Sequence, residues 1–290
     1  MKNIVLKGFL ALAALMMVCT TANAQWSFFS DGNKRITASG NYVTKDYRVD
    51  NFSEINLACS ADVVYTQKSG KPTVKAYVSD NVAEILEVKV SGNTLNIRFK
   101  RGYNVNNNRK TFRIELSSPT LEGIDIAGSG DVNVGPLTTD RLTFDVSGSG
   151  DIDCSNVTSK GPVRVSISGS GDIDIARLQS SDLTVRVTGS GDLNINGIST
   201  GDVNAKITGS GEITLKGSGT DAVYAITGSG NIEAKDLHTA NVVADITGAG
   251  DITCYASKYI KADVSGSGTI NYAGKPDKVD IPRRRVRAIE

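Results

Sequence analysis

Gly189-Ser190-Gly191-Asp192 is one member of a series. Gly-Ser-Gly also begins at Gly128, Gly148, Gly169, Gly209, Gly228 and Gly266, and Gly248-Ala249-Gly250 fills the remaining gap, so the intervals run 20, 21, 20, 20, 19, 20 and 18 residues. Self-similarity at such a period marks supersecondary units that cannot bury an apolar face alone and must stack on their neighbours. Both flanks of the phrase alternate strictly. Leu183, Val185 and Val187 precede Gly189, and Leu193 and Ile195 follow it; Val203, Ala205 and Ile207 stand in the same relation to Gly209, as do Val242, Ala244 and Ile246 to Gly248. Period-2 alternation means strands with one buried face.

Counting by twos from Val187 to Leu193 passes through Gly189 and Gly191, which puts both glycines on the inward side of a bend, where a Cβ has no room and φ can be positive. The same structural role falls to Gly128 and Gly130, Gly148 and Gly150, Gly169 and Gly171, Gly209 and Gly211, Gly228 and Gly230, Gly248 and Gly250, and Gly266 and Gly268. Small polar stretches such as Gln179-Ser180-Ser181-Asp182 read as the second turn. The expected fold is therefore all-β: a parallel β-solenoid, β-helix-like, whose coils of about 20 residues each run strand, polar turn, strand, glycine bend. Eight coils at a rise of about 4.8 Å make a rod on the order of 35 Å long.

The chain opens differently. Lys2 and Lys7 precede an apolar run from Phe9 to Val18, and Ala22-Asn23-Ala24 has the small-x-small form of a signal-peptidase site, so residues 1–24 read as a secretory signal peptide and the mature chain as starting at Gln25. The apolar run is too short for a membrane span. Val18 before Cys19 argues against a lipoprotein signal, which needs a small residue there. Residues 25–46 read as a leader. Residues 47–120 carry alternating strands without the strict repeat, with a short helical look from Asp80 to Glu87. Ile55-Asn56-Leu57-Ala58-Cys59-Ser60-Ala61-Asp62-Val63 parallels Ile124 to Val132, with Cys59 and Ala61 in place of glycines, so this segment reads as irregular opening coils that cap the repeats of 121–274. Residues 275–290, with Arg283, Arg284, Arg285 and Arg287, read as a solvated basic tail.

Removing Lys2 and Lys7 from 32 basic and 31 acidic residues leaves a mature net charge of −1, which excludes the basic footprint of a nucleic-acid binder. Cys154 and Cys254 hold the same inward position five coils apart, too far for a disulfide, and read as core. His238 is the single histidine; no nucleophile, acid and base constellation accompanies it, so no catalytic residue is assigned and no enzyme is expected. Asp131, Asp151, Asp172 and Asp192 follow successive bends in one row that continues through Glu212 and Asn231 to Asp251, with Asn133, Asp153, Asp174 and Asn194 two positions on. Stacked carboxylates repel, and calcium would relieve that, so these aspartates are the candidate metal ligands. The competing reading has each Asp accepting backbone N–H groups at the corner, with no cofactor.

Arg48-Val49, Phe52-Ser53-Glu54-Ile55, Ala61-Asp62-Val63, Asn93-Thr94-Leu95-Asn96-Ile97, Ser118-Pro119-Thr120-Leu121 and the Gly-Ser-Gly-Asp repeats together resemble the family of "putative auto-transporter adhesin" head GIN domains, exported proteins of Bacteroidetes-type bacteria. The resemblance covers roughly Tyr47 to Gly274 and implies an exported, solenoid-like surface module; it supplies no catalytic residue. The expected function is thus a non-enzymatic cell-envelope or surface protein that presents a rigid polar face to a protein or glycan partner, located in the periplasm, on the outer membrane or outside it. The alternatives are a glycan-binding or polysaccharide-cleaving β-helix, which carboxylates converging in one groove would favour, and a ligand-free periplasmic scaffold.

Overall fold

Three short runs of inward-facing residues make up each coil, where the sequence pattern had suggested two. In Ile173–Gln179 the burial alternates through Ile173 and Ile175, breaks at the two outward residues Ala176 and Arg177, and resumes at Leu178; Leu193–Ser199 repeats this with Asn196 and Gly197 before Ile198. The computed structural model describes residues 33–108, 110–282 and 284–289. The expected signal peptide, the first part of the expected leader, Cys19 and Arg283 lie outside the described residues. What the structure describes is all-β, with coils stacked in parallel as a β-solenoid.

Register is kept by the first side and the glycine bend. Leu183 to Gly189 pair residue for residue with Val203 to Gly209, which pair with Ala222 to Gly228. Departures from the 20-residue period fall elsewhere. The 21-residue coil carries its extra residue in the polar turn before Val163, and the 19-residue coil loses one at the corner before Gly217, where the ladder shifts register. A corner can gain or lose a residue without turning a buried face outward, whereas a slip within a strand would invert every side chain.

The opening segment is two coil-like layers under an antiparallel lid. Glu54–Ala58 and Ala61–Gln67 pair in parallel with the first regular coil and, on their other edge, with Thr94–Phe99 and Phe112–Ser118. Beyond those the pairing reverses: Leu86–Ser91 lies antiparallel on Thr94–Phe99, Thr73–Ser79 on Phe112–Ser118, and Tyr42–Tyr47 on Thr73–Ser79. Irregular coils alone had been expected. Alternation has the same period in both pairings, and the tight turn at Gly92 (φ +60°) decides for a hairpin. The sheet begins before residue 47, since Tyr42–Tyr47 belongs to this lid. The helical look from Asp80 contracts to the single turn Asp80–Ala83, with Val82 and Ala83 buried.

The far end departs from expectation as well. The described part of residues 275–290 is not a frayed tail, because Lys278–Asp280 pairs with Tyr259 to Lys261 and Val286–Ala288 pairs with Ile270 to Tyr272. Val286 is buried, and two arginines fasten the segment: Arg285 donates to the Ser267 carbonyl at 2.6 Å and Arg287 to Asn271 Oδ1 at 2.9 Å. The segment forms a last partial coil.

Candidate functional site

At all sixteen repeat glycines a Cβ would lie within 3.0 Å of a backbone carbonyl oxygen in the preceding coil. The crowding that excludes a side chain is between stacked coils at both glycines, and at second glycines such as Gly191 and Gly230 the core side chains Ile167 and Ile207 crowd the same space. Left-handed φ appears at the first glycine from Gly189 onward, for example +133° at Gly209, and at none of the second glycines. Cys59 and Ala61 occupy the corresponding corner in the opening layer, directly beneath Gly128 and Gly130.

This close stacking positions the aspartate row. Asp151 N–H donates to Asp131 Oδ1 at 3.0 Å, Asp172 N–H to Asp151 Oδ1 at 2.8 Å, Asp192 N–H to Asp172 Oδ1 at 2.8 Å, and Glu212 N–H to Asp192 Oδ1 at 2.8 Å. Asp62 starts the ladder beneath Asp131 (3.3 Å), and Asp251 accepts both the N–H and the hydroxyl of Thr269. One methylene is the length that lets a carboxylate reach the equivalent N–H of the next coil. Glu212 is longer and turns to the Thr214 hydroxyl, and there the ladder breaks: Asn231 N–H donates to the Gly211 carbonyl. The row two positions on, from Asn133 through Asp153, Asp174 and Asn194, is in register but carries no comparable ladder. Burial, then the charges of Asp174, Asp151 and Asp131, push the Asp153 carboxyl above its usual range; burial likewise raises Glu233 and Asp62. Among the described residues no group of three or more His, Cys, Asp or Glu side chains is arranged to hold a metal ion.

Since one oxygen of each ladder carboxylate is already committed to a backbone N–H, adding calcium or EDTA is expected to move the thermal unfolding midpoint by less than about 2 °C. A shift of about ten degrees in differential scanning fluorimetry would make the aspartates calcium ligands.

The other residues singled out for chemistry lie apart. His238 stacks edge-on against Tyr255, ring centroids 4.5 Å apart. Cys59, Cys154 and Cys254 are free and buried, and desolvation drives their thiols up to about 11, 12 and 12 respectively. All three are packing residues. Thiols so far from ionisation are poor nucleophiles.

A groove of about 1180 Å³ is the feature that sequence reasoning missed. It lies over the outer side of the opening strands, where Glu54–Ala58 is flanked by Thr94–Phe99 on one edge and by Gly123–Ile126 and Leu142–Val146 on the other, with Leu86–Ser91 outermost. Its lining pairs donors with acceptors. Asn56 Nδ2 donates to Asp125 Oδ2 at 2.6 Å, Thr94 Oγ1 to Glu54 Oε2 at 2.7 Å, Arg98 Nε to Glu87 Oε2 at 3.0 Å and Arg141 to Glu122 Oε2 at 2.7 Å. Asn96, Thr143, Asp145 and Lys89 complete the polar wall, and Tyr47 stands in the lining with its hydroxyl buried and unpartnered among the described residues.

Solved structures resemble this architecture along nearly its whole length. A protein from Bacteroides fragilis titled a putative adhesin is 30% identical, with 88% of this chain and 97% of that one covered and a TM-score of 0.51. One from Parabacteroides distasonis titled a putative lipid binding protein is 25% identical over 89% of this chain and all of that one (TM-score 0.65). A putative adhesin from Parabacteroides merdae shares the fold at 22% identity and a TM-score of 0.67, covering 88% and 99% of the two chains. No curated protein matches. With residues 51–160 and 155–276 both fitting its profile, the chain belongs to the family described as "Putative auto-transporter adhesin, head GIN domain".

Proposed function

We propose that the protein is an exported, non-enzymatic adhesin-like module that binds a glycan in the groove over its opening strands. The observation that carries this reading is the groove's lining. Neighbouring amide, carboxylate and hydroxyl groups, held in place by one another and by a register-locked sheet, offer the paired donors and acceptors that vicinal sugar hydroxyls require. Carboxylates meeting in one groove were the feature expected to favour a glycan ligand. Tyr47 adds an aromatic body beside them. An acyl chain would find little here, because the outward side chains are charged or polar almost throughout. The family description and the adhesin titles of the relatives support binding as the task.

A glycan array probed with the purified chain tests the reading. Retention on a subset of glycans, lost at least tenfold by an Asn56→Ala, Asp125→Ala double variant that keeps its unfolding midpoint, is the expected result. Each bidentate polar contact removed is worth on the order of 1 kcal/mol or more. No retention by the wild type, or equal retention by the variant, would sink it. Location is tested separately: external protease is expected to degrade the protein on intact cells while a periplasmic marker survives, and degradation only after lysis would return it to the periplasm.

A further inference from the structure

The regular coils carry an ordered run of unmatched charge on the first side of the solenoid. In one outward row, successive coils bring Ser166, Arg186, Lys206, Ala225, Asp245 and Asp263 into register. The neighbouring row reads Arg164, Thr184, Asn204, Val223, Val243, Lys261 and Asp280. Within one chain this order is unfavourable, since Arg186 lies over Lys206 and Asp245 over Asp263 at strand spacing, like charge on like. None of Arg164, Arg186, Lys206, Asp245, Lys261, Asp263 and Asp280 forms an ion pair among the described residues, although charged neighbours elsewhere, Arg141–Glu122 and Lys160–Asp140 among them, do. At the centre of the run Val223 is 41% exposed, one of four large hydrophobic residues so exposed among those described.

We infer that this side is a self-association surface, closed by a second copy of the same chain lying antiparallel across it. A two-fold axis along the strand direction through Val223 and Ala225 sets coils equally far from the centre opposite one another. Lys206 then faces Asp245 of the second copy, Arg186 faces Asp263, Arg164 faces Asp280, and Val223 and Ala225 meet their own equivalents. Each charge pair occurs twice, as an isologous contact requires. The other two-fold, along the solenoid axis, would set each coil against itself and keep the basic coils of Arg186 and Lys206 apart from the acidic coils of Asp245 and Asp263. The order of charge along the stack is therefore matched in the antiparallel orientation.

The overlap spans roughly 30 Å by 17 Å, on the order of 500 Å² per partner and about 1,000 Å² in all, at the lower limit for a specific interface. Charges at this exposure set register and encounter rate more than affinity, so the dimer is weak and salt-sensitive. The opening coils lie outside the overlap, because their positions fall beyond the last coil of the second copy. Both grooves stay open at opposite ends, which would make any ligand contact bivalent. The inference rests on the charge order and holds whatever the groove binds.

Sedimentation velocity on the full mature chain over a concentration series, at low salt and at about 1 M NaCl, tests it. The expected result is a reversible dimer at low salt whose Kd rises at least fivefold at high salt. Lys206→Glu and Asp245→Lys should each weaken the dimer tenfold or more. The double variant carrying both changes should restore it, since opposite charges then face one another again with their signs exchanged. All are surface changes, so the thermal midpoint serves as a folding control. A chain that stays monomeric at low salt, single variants that associate like the wild type, or a double variant that fails to recover would each overturn the proposal, and the first would leave the face to a different partner.

Discussion

Gly248→Ala is expected to lower stability by about 4 kcal/mol and the thermal midpoint by on the order of 10 °C. Gly248 has φ +136°, a region that residues with a Cβ rarely adopt, and its added methyl would lie within 3.0 Å of the Gly228 carbonyl oxygen. That oxygen cannot step aside. It accepts the N–H groups of Ala249 at 2.8 Å and Gly250 at 3.2 Å, and the Gly248 carbonyl repeats the arrangement one coil on with Ser267 and Gly268. A methyl here would have to separate two coils whose spacing is set by every strand they share, so relaxation at one corner strains the ladder on either side. Gly40→Ala is the control: nothing lies within 4 Å of the added Cβ, φ is ordinary, and the midpoint should stay within about 2 °C. If Gly248→Ala fell by no more than that, the stacked carbonyls would not be what reserves these positions for glycine.

How far such features could be read in advance depended on how close together in sequence their parts lie. The glycine bend, the two strands flanking it and the buried identities of Val185, Ile195 and Ile207 all follow from neighbours a few residues apart, and there expectation and structure agree. The third side was hidden by its own geometry. Two consecutive outward residues, Ala176-Arg177 or Asn196-Gly197, reset the phase of the alternation, so Leu178 and Ile198 fell outside the two strands that it marks. The last half-coil was masked by composition, since Pro276, Pro282 and the arginines outweigh Val279 and Val286. The groove was the least legible. Glu54, Thr94, Asp125 and Asp145 are far apart in the chain and become neighbours only through the register of four strands. The aspartate row was visible as a row, but its bonds to the next coil's N–H groups depended on a distance that the sequence does not carry.

Substitutions at Tyr224 are expected to shift stability in opposite directions. The residue is fully buried in an inward column that runs Phe144, Val165, Val185, Ala205, Tyr224, Ala244, Ala262. Alanine on the coil before and on the coil after leaves the room that the ring fills, so a large residue and two small ones share the volume that three medium ones occupy earlier in the column. Tyr224→Ala would leave four successive alanines around a void that a stack of hydrogen-bonded coils cannot collapse, a loss of about 3–5 kcal/mol. Tyr224→Phe keeps the ring and removes a hydroxyl that has no hydrogen-bond partner among the described residues and whose ionisation burial, aided by the Cys254 thiol, drives far above the usual tyrosine range. Deleting an unsatisfied buried polar atom without changing the packing should raise stability by about 1 kcal/mol. Urea unfolding of the two variants beside the wild type reads both, as midpoints displaced to either side at an unchanged slope. A fall for Tyr224→Phe would mean that the hydroxyl has a partner after all, a bound water being the simplest, and that this part of the core is polar where the alternation of large and small residues says it is dry.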